Sequence, residues 1–195
     1  HLERSRRDRS YRWDPSQVTV EGMTDRWKRI DGWQDTRDFD LMYLFWLLHY
    51  GRGRTAMTRL DPAVLTAIED RLIANRYRYD DPLPDDRIDN LWFWSENHII
   101  IGLALEFLAG ERFSRRTFTV TGMTGAQHAA RAREGILEWI SERIELGFFE
   151  WHSNVYMLKN ITPLLMLVEL SRDREVVAAA AVALDLCFLD MAAHN

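Results

Sequence analysis

The chain has 195 residues, 47% of them hydrophobic, which is enough to bury a sizeable core and excludes an intrinsically disordered segment. Its 25 Lys and Arg are interspersed among 30 Asp and Glu, for a net charge of −5, so no field of one sign is available to gather nucleic acid or an anionic membrane surface. One cysteine, Cys187, excludes an internal disulfide framework and, set in an apolar run, reads as a small buried hydrophobe.

Residues 1–37 show no sustained period and read as an irregular N-terminal arm with a helical turn near Asp25 to Ile30. The basic stretch from Arg4 to Arg12 is a solvated terminal segment on this reading. From residue 38 the chain is helical. Asp38 or Asp40 caps a helix to about Tyr50, closed by Gly51 and Gly53, whose apolar residues surround most of its circumference. Asp61-Pro62 is a helix start, cap followed by proline, for a segment reaching Asn75. Tyr77 to Asp86, with Pro82 and Pro84, is a loop.

A third helix is expected from Asp86 or Asp89 to Ala109, ended by Gly110, and Glu111 to Thr121 is a loop or short extended segment. Thr124 caps a fourth helix, Gly125 to Leu146, closed by Gly147. A fifth begins near Ser153 and is interrupted or restarted at Asn160-Ile161-Thr162-Pro163, because proline disfavours helix at the residue before it. Asp173 starts the last. Asp40, His49, Glu106, Glu169 and Asp185 interrupt every apolar run short of the roughly 18 residues a membrane span requires. Alternation of amphipathic helices with uniformly apolar ones predicts paired layers: an all-α fold of helical hairpins forming part of an (α/α) toroid over residues 38–195. The hexapeptides beginning at Thr19 and Thr119 match at five of six positions, which fits a shared loop conformation or coincidence ahead of an old duplication.

Two polar clusters stand inside apolar sequence. The first is Trp94-Ser95-Glu96-Asn97-His98. Burying such groups unpartnered costs about 1–3 kcal/mol each, and more for a charge, so they require either internal partners or a function. On a helix Trp94, His98, Ile101 and Leu105 share one stripe with Asn97 beside it; His98 is then either a cavity-facing group or a satisfied core histidine. The second cluster is Glu150-Trp151-His152-Ser153-Asn154-Val155-Tyr156, in which His152 and Tyr156 stand four apart at a helix start, or else Ser153 or Asn154 caps the helix and His152 lies on the surface. His98, His152, Glu96 and Glu150 are metal-ligand types, yet no HExxH or CxxC spacing is present, and neither a metal nor a cofactor is expected. Glu96 and Glu150 would also suit an acid and base pair for glycoside hydrolysis.

The Asn97-His98 pair followed by His152 to Tyr156 in an all-helical chain resembles the toroid domain of polysaccharide lyases of the alginate and chondroitin lyase superfamily. The resemblance implies β-elimination on a uronate-containing polysaccharide. Asn97 would neutralise the carboxylate, His98 or His152 would remove the C5 proton, and Tyr156 would protonate the leaving oxygen, while Trp94, Glu96, Glu150, Trp151 and Asn154 would line the substrate groove. The arginine such sites often carry has no assignable position, and the helices number about half of a complete toroid, as in a part of a longer chain. The partner on this reading is a polysaccharide or oligosaccharide, with no nucleic acid and no membrane span. The alternatives are a glycoside hydrolase using Glu96 and Glu150, and a non-catalytic helical binding or scaffold module.

Overall fold

The chain is all-α in a computed structural model, which describes residues 1, 4, 7, 8, 10–53, 58–150 and 153–193. Among the described residues there are seven α-helices and no strand: α1 (Thr24–Asp31), α2 (Arg37–Tyr50), α3 (Pro62–Ile73), α4 (Glu96–Arg112), α5 (Gly125–Leu146), α6 (Tyr156–Leu170) and α7 (Arg174–Ala193). They belong to two compact units. Residues 1–74 with 89–91 form the first, and 75–88 with 92–195 form the second.

In the first unit α2 packs against α1 and α3. That explains its apolar circumference: Leu41, Met42, Leu44, Phe45 and Leu48 are all buried, as are Ile68 and Leu72 of α3. Of the two charged residues that this helix buries, Arg37 and Asp40, the second accepts from Arg29 Nε at 2.7 Å and pairs with Arg26, tying α2 to α1. Arg71 of α3 lies 4.1 Å over the Trp27 ring and binds Asp31 through Nε (2.8 Å) and Nη2 (2.6 Å). As expected, Asp61 caps α3, its side chain accepting from the Ala63 amide at 2.8 Å with Pro62 at the first helical position.

The second unit is two helical hairpins, α4 with α5 and α6 with α7, laid side by side so that α4 also touches α6 and α5 touches α7. The capping box at Thr124 is complete, since its side chain accepts from the Gln127 amide while Gln127 accepts from the Thr124 amide. Gly147, at φ +81°, ends α5. Asp173 caps α7, accepting from the amides of Glu175 (2.9 Å) and Val176 (3.2 Å). The two similar hexapeptides adopt different backbones: Glu21–Met23 is a short 3-10 turn, whereas Gly122 has φ +71°.

Four expectations need correction. The helix carrying the first polar cluster starts at Glu96, with Ser95 extended at ψ 154°, and not at Asp86 or Asp89. Residues 82–90 are all exposed, and a helix with no face to bury gains too little to form. Gly110 does not terminate α4 but lies inside it, where a Cβ would come within 2.5 Å of the Gly125 carbonyl and 2.6 Å of the Ala129 amide nitrogen; glycine is there because α4 and α5 touch backbone to backbone. Pro163 does not interrupt α6, which runs unbroken through it. Pro163, Leu164, Met166 and Leu167 are buried, and that packing outweighs the roughly 3 kcal/mol a proline costs inside a helix. Finally, α7 is by length and composition alone apolar enough to cross a membrane, because beyond Glu175 its only acids are Asp185 and Asp190, too few to offset the apolar residues around them. One face of α7, with Val176, Ala180, Ala183, Leu184 and Cys187, is buried, and burial pushes the Cys187 thiol up to about 12.

Candidate functional site

Glu96 opens α4 and is 5% exposed. Its carboxylate accepts from Arg143 Nη1 (2.8 Å), from the amides of Phe149 and Glu150 (3.0 Å each) and from Asn160 Nδ2 (3.1 Å). Donors from α5, from the turn after it and from α6 converge on this one group. A carboxylate so fully engaged is a structural anchor with no lone pair left to exchange a proton with a substrate.

Glu150 is differently placed. Asn97 donates to its Oε1 at 2.7 Å and Asn160 reaches its Oε2 at 3.5 Å. Burial raises its proton affinity above the ordinary glutamate value, the Asn97 bond opposes that, and the negative charge of Glu96 reinforces it. Glu150 also lines an open cleft of about 610 Å³ with Trp94, Ser95, Glu96, Trp139, Arg143 and Phe149, and with Glu138 and Glu142 on its acidic side. Trp94 and Phe149 present their faces to solvent, 59% and 73% exposed. The Arg143 guanidinium lies 5.4 Å over the Trp139 ring and 4.7 Å over that of Phe149.

Among the described residues six buried side-chain polar atoms have no hydrogen-bond partner, and five belong here: Ser95 Oγ, Asn97 Oδ1, Trp139 Nε1, Arg143 Nε and Asn160 Oδ1. Each such atom costs about 1–3 kcal/mol, and all five are buried behind the cleft wall and do not face its opening.

A second depression, of about 460 Å³, is lined by Tyr77, Arg78, Tyr79, Asp80, Phe93 and His98, and shares Trp94, Ile99 and Leu103 with the first. The Tyr79 and Trp94 rings are 5.2 Å apart and tilted, making one exposed aromatic ridge. The rim of this depression is clamped from beneath. Asp81, buried, accepts from the amides of Tyr77 and Arg78 (3.1 Å each) and from Arg131 Nη1 at 2.7 Å. Arg131 and Arg78 both bind Glu106, at 2.8 and 2.9 Å through their Nε atoms, and His128 bonds Glu106 through Nδ1 and Thr121 through Nε2, at 2.7 Å each. Glu106 and His128 are fully buried and sit behind the site, whereas Arg78 also lines the depression.

The structure thus brings together Trp94, Glu96, Asn97 and Glu150, and places His98 in the adjoining depression. Trp94 precedes the helix and does not share its stripe with His98 and Ile101. Asn154 is exposed in the turn before α6, and Tyr156, 48% exposed at the first turn of that helix, lines neither depression. Trp151 and His152 lie outside the described residues.

Arg143, Asn160, Trp139 and Arg78 were not anticipated. Arg143 was legible: it lies on the stripe His128, Ala132, Ile136, Ile140, Arg143 that α5 buries, and an arginine on an apolar stripe demands a buried anion. Asn160 carried a similar signal, four residues after Tyr156 in an apolar helix. Among the described residues no group of three or more His, Cys, Asp or Glu is arranged to hold a metal ion. No family model, curated protein or solved structure matches this chain.

Proposed function

We propose that this chain is a carbohydrate-active domain that cleaves a uronate-containing polysaccharide by β-elimination, the sugar chain lying across Trp94 from the Glu150 cleft to the His98 depression. The observation that supports this reading is the open cleft in which the polar side chains of Glu138, Glu142 and Glu150 stand beside the exposed aromatic faces of Trp94 and Phe149. A sugar ring needs both: a flat apolar face for its C–H side and a ring of mixed hydrogen-bond partners for its hydroxyls.

The chemistry requires a relieved carboxylate, a base at C5 and an acid at the leaving oxygen. His98 and Arg78 line one depression, where the imidazole serves as base and the guanidinium draws the uronate carboxylate. Glu150, holding its proton more tightly than an ordinary glutamate, is suited to deliver it to the leaving oxygen. Asn97 and Asn160 then orient Glu150, a change from the neutralising role the resemblance assigns to Asn97.

Glycoside hydrolysis is the second reading, favoured by the nearness of Glu138 and Glu142 to Glu150 on the walls of the same cleft. Its second carboxylate is then one of these two, because the oxygens of Glu96 are fully engaged. One experiment separates the readings. Elimination leaves a double bond conjugated to the carboxylate and so an ultraviolet chromophore, whereas hydrolysis yields reducing ends without it. The chain incubated with uronate polymers gives the chromophore, and His98→Ala removes it with the fold intact. Reducing ends without the chromophore overturn elimination in favour of hydrolysis; neither product, with no binding, overturns the enzyme reading.

A further inference from the structure

Helix α7 is apolar nearly all round, yet only 28% of its most apolar stretch is buried. The stripe it buries, Val176, Ala180, Ala183, Leu184 and Cys187, packs within the second unit against α5 and α6. A helix that buries one stripe ordinarily carries polar residues on the opposite side. Here Val182 (48% exposed), Phe188 (49%) and Leu189 (66%) face solvent instead. The apolar surface continues onto α5, where Ile144 and Leu146 line one groove of about 480 Å³ with Leu186 and Leu189. An apolar surface this continuous calls for a cover.

Two charges on that face identify what covers it. Arg174, Ala178, Ala181 and Asp185 follow one another at the four-three-four spacing that sets residues on one line along a helix, on the side turned away from the core. Neither the Arg174 nor the Asp185 side chain has a partner among the described residues. The line is complementary to itself when reversed. A second α7 running antiparallel sets Arg174 against the partner's Asp185 and Asp185 against the partner's Arg174, with Ala178 and the partner's Ala181 between them. One two-fold axis generates both ion pairs, as an isologous contact requires. The alanines let the two axes approach to about 8 Å, close enough for both pairs to form and for Val182 and Phe188 to be covered on either side.

The area suffices. Two helices about 30 Å long that meet through such faces, with Ile144 and Leu146 alongside, cover on the order of 1,000 Å², the size at which a contact between copies becomes specific. A lipid surface fits less well: three of the four charges on α7, Glu175, Asp185 and Asp190, are acidic, whereas helices that lie on anionic membranes carry Lys and Arg beside their apolar face.

We propose that the outer face of α7 is the interface between two copies of this chain, paired antiparallel about a two-fold axis that passes between Ala179 and Ala180. The pairing is independent of the carbohydrate reading, since it uses no residue of either depression.

The test is sedimentation equilibrium of the full chain and of charge variants. Wild type forms a dimer that dissociates in the micromolar range. Arg174→Asp and Asp185→Arg each set like charges opposite one another twice and weaken the dimer about tenfold, a loss that shrinks as salt rises. Combining the two substitutions exchanges the charges and restores the dimer to within about threefold of wild type. Val182→Glu, at an exposed position, separates the copies while circular dichroism is unchanged. A chain that stays monomeric at every concentration overturns the proposal, as does a dimer indifferent to both single charge reversals or a double variant no better than either one. A monomer that co-sediments with phosphatidylcholine–phosphatidylglycerol vesicles, and loses this with Val182→Glu, overturns it in favour of a membrane surface.

Discussion

Arg143 meets Glu96 at 2.8 Å with only 4% and 2% of the two side chains exposed, so the site rests on an ion pair that neither partner can abandon to water. Glu96→Ala strands the guanidinium and also releases the amides of Phe149 and Glu150. We expect a loss of about 3–5 kcal/mol, read from urea unfolding. Glu96→Gln, which keeps one acceptor, costs less. A loss below about 1 kcal/mol for the alanine variant contradicts the anchoring role.

Arg131 bridges Asp81 and Glu106, whose side chains are 1% and 0% exposed. Arg131→Met strips buried Asp81 of its arginine and leaves Glu106 with Arg78 and His128 alone. The expected cost is again about 3–5 kcal/mol, accompanied by loss of saccharide binding that Glu150→Gln does not cause. Unchanged stability with unchanged binding contradicts the clamp.

Gly110 lies where α4 and α5 meet backbone to backbone, with no side chain that could give way. Gly110→Ala forces the helices apart and costs about 1–3 kcal/mol or more, despite alanine's better helix propensity. A stabilised variant, by thermal unfolding, shows that the helices do not approach so closely.

How much of this was readable beforehand divides along a physical line. Signals confined to one segment were legible: the Asp61-Pro62 start, the Thr124 cap, the Gly147 stop and the Asp173 cap are local hydrogen-bond and dihedral requirements. Features decided by another segment were not. Gly110 has the composition of a helix stop, and only the presence of Gly125 and Ala129 across the interface shows otherwise. Pro163 is carried through α6 by burial that no local pattern reports. The polar cluster at Glu96 to His98 announced itself because charge in apolar sequence needs a reason, but whether Glu96 or Glu150 was the engaged carboxylate depended on Arg143, 47 positions away.

Glu150 makes stability depend on pH in a definite direction. Its folded proton affinity is raised above the ordinary glutamate value of 4.5, so the folded state binds the proton more tightly than the unfolded state does. Its contribution is therefore fully present below 4.5 and is lost as pH rises through the higher folded value. Wild type loses stability relative to Glu150→Gln across that window. Asp173 runs the opposite way: its pairing with Arg133 lowers its proton affinity below the value of 3.8, so its contribution is present above 3.8 and lost as pH falls through the lower folded value. Denaturant midpoints of wild type, Glu150→Gln and Asp173→Asn across pH check both signs; a Glu150→Gln difference that stays constant or reverses contradicts the assignment.

The most direct test of the site is a carbon-detected NMR titration of the Glu150 carboxyl, with and without a bound saccharide. The geometry predicts a midpoint above that of an ordinary glutamate in the free protein and a further displacement when the oligosaccharide fills the cleft, with the Trp94 and Phe149 ring signals moving in step. A midpoint at or below the ordinary value, unmoved by every saccharide added, would contradict the account.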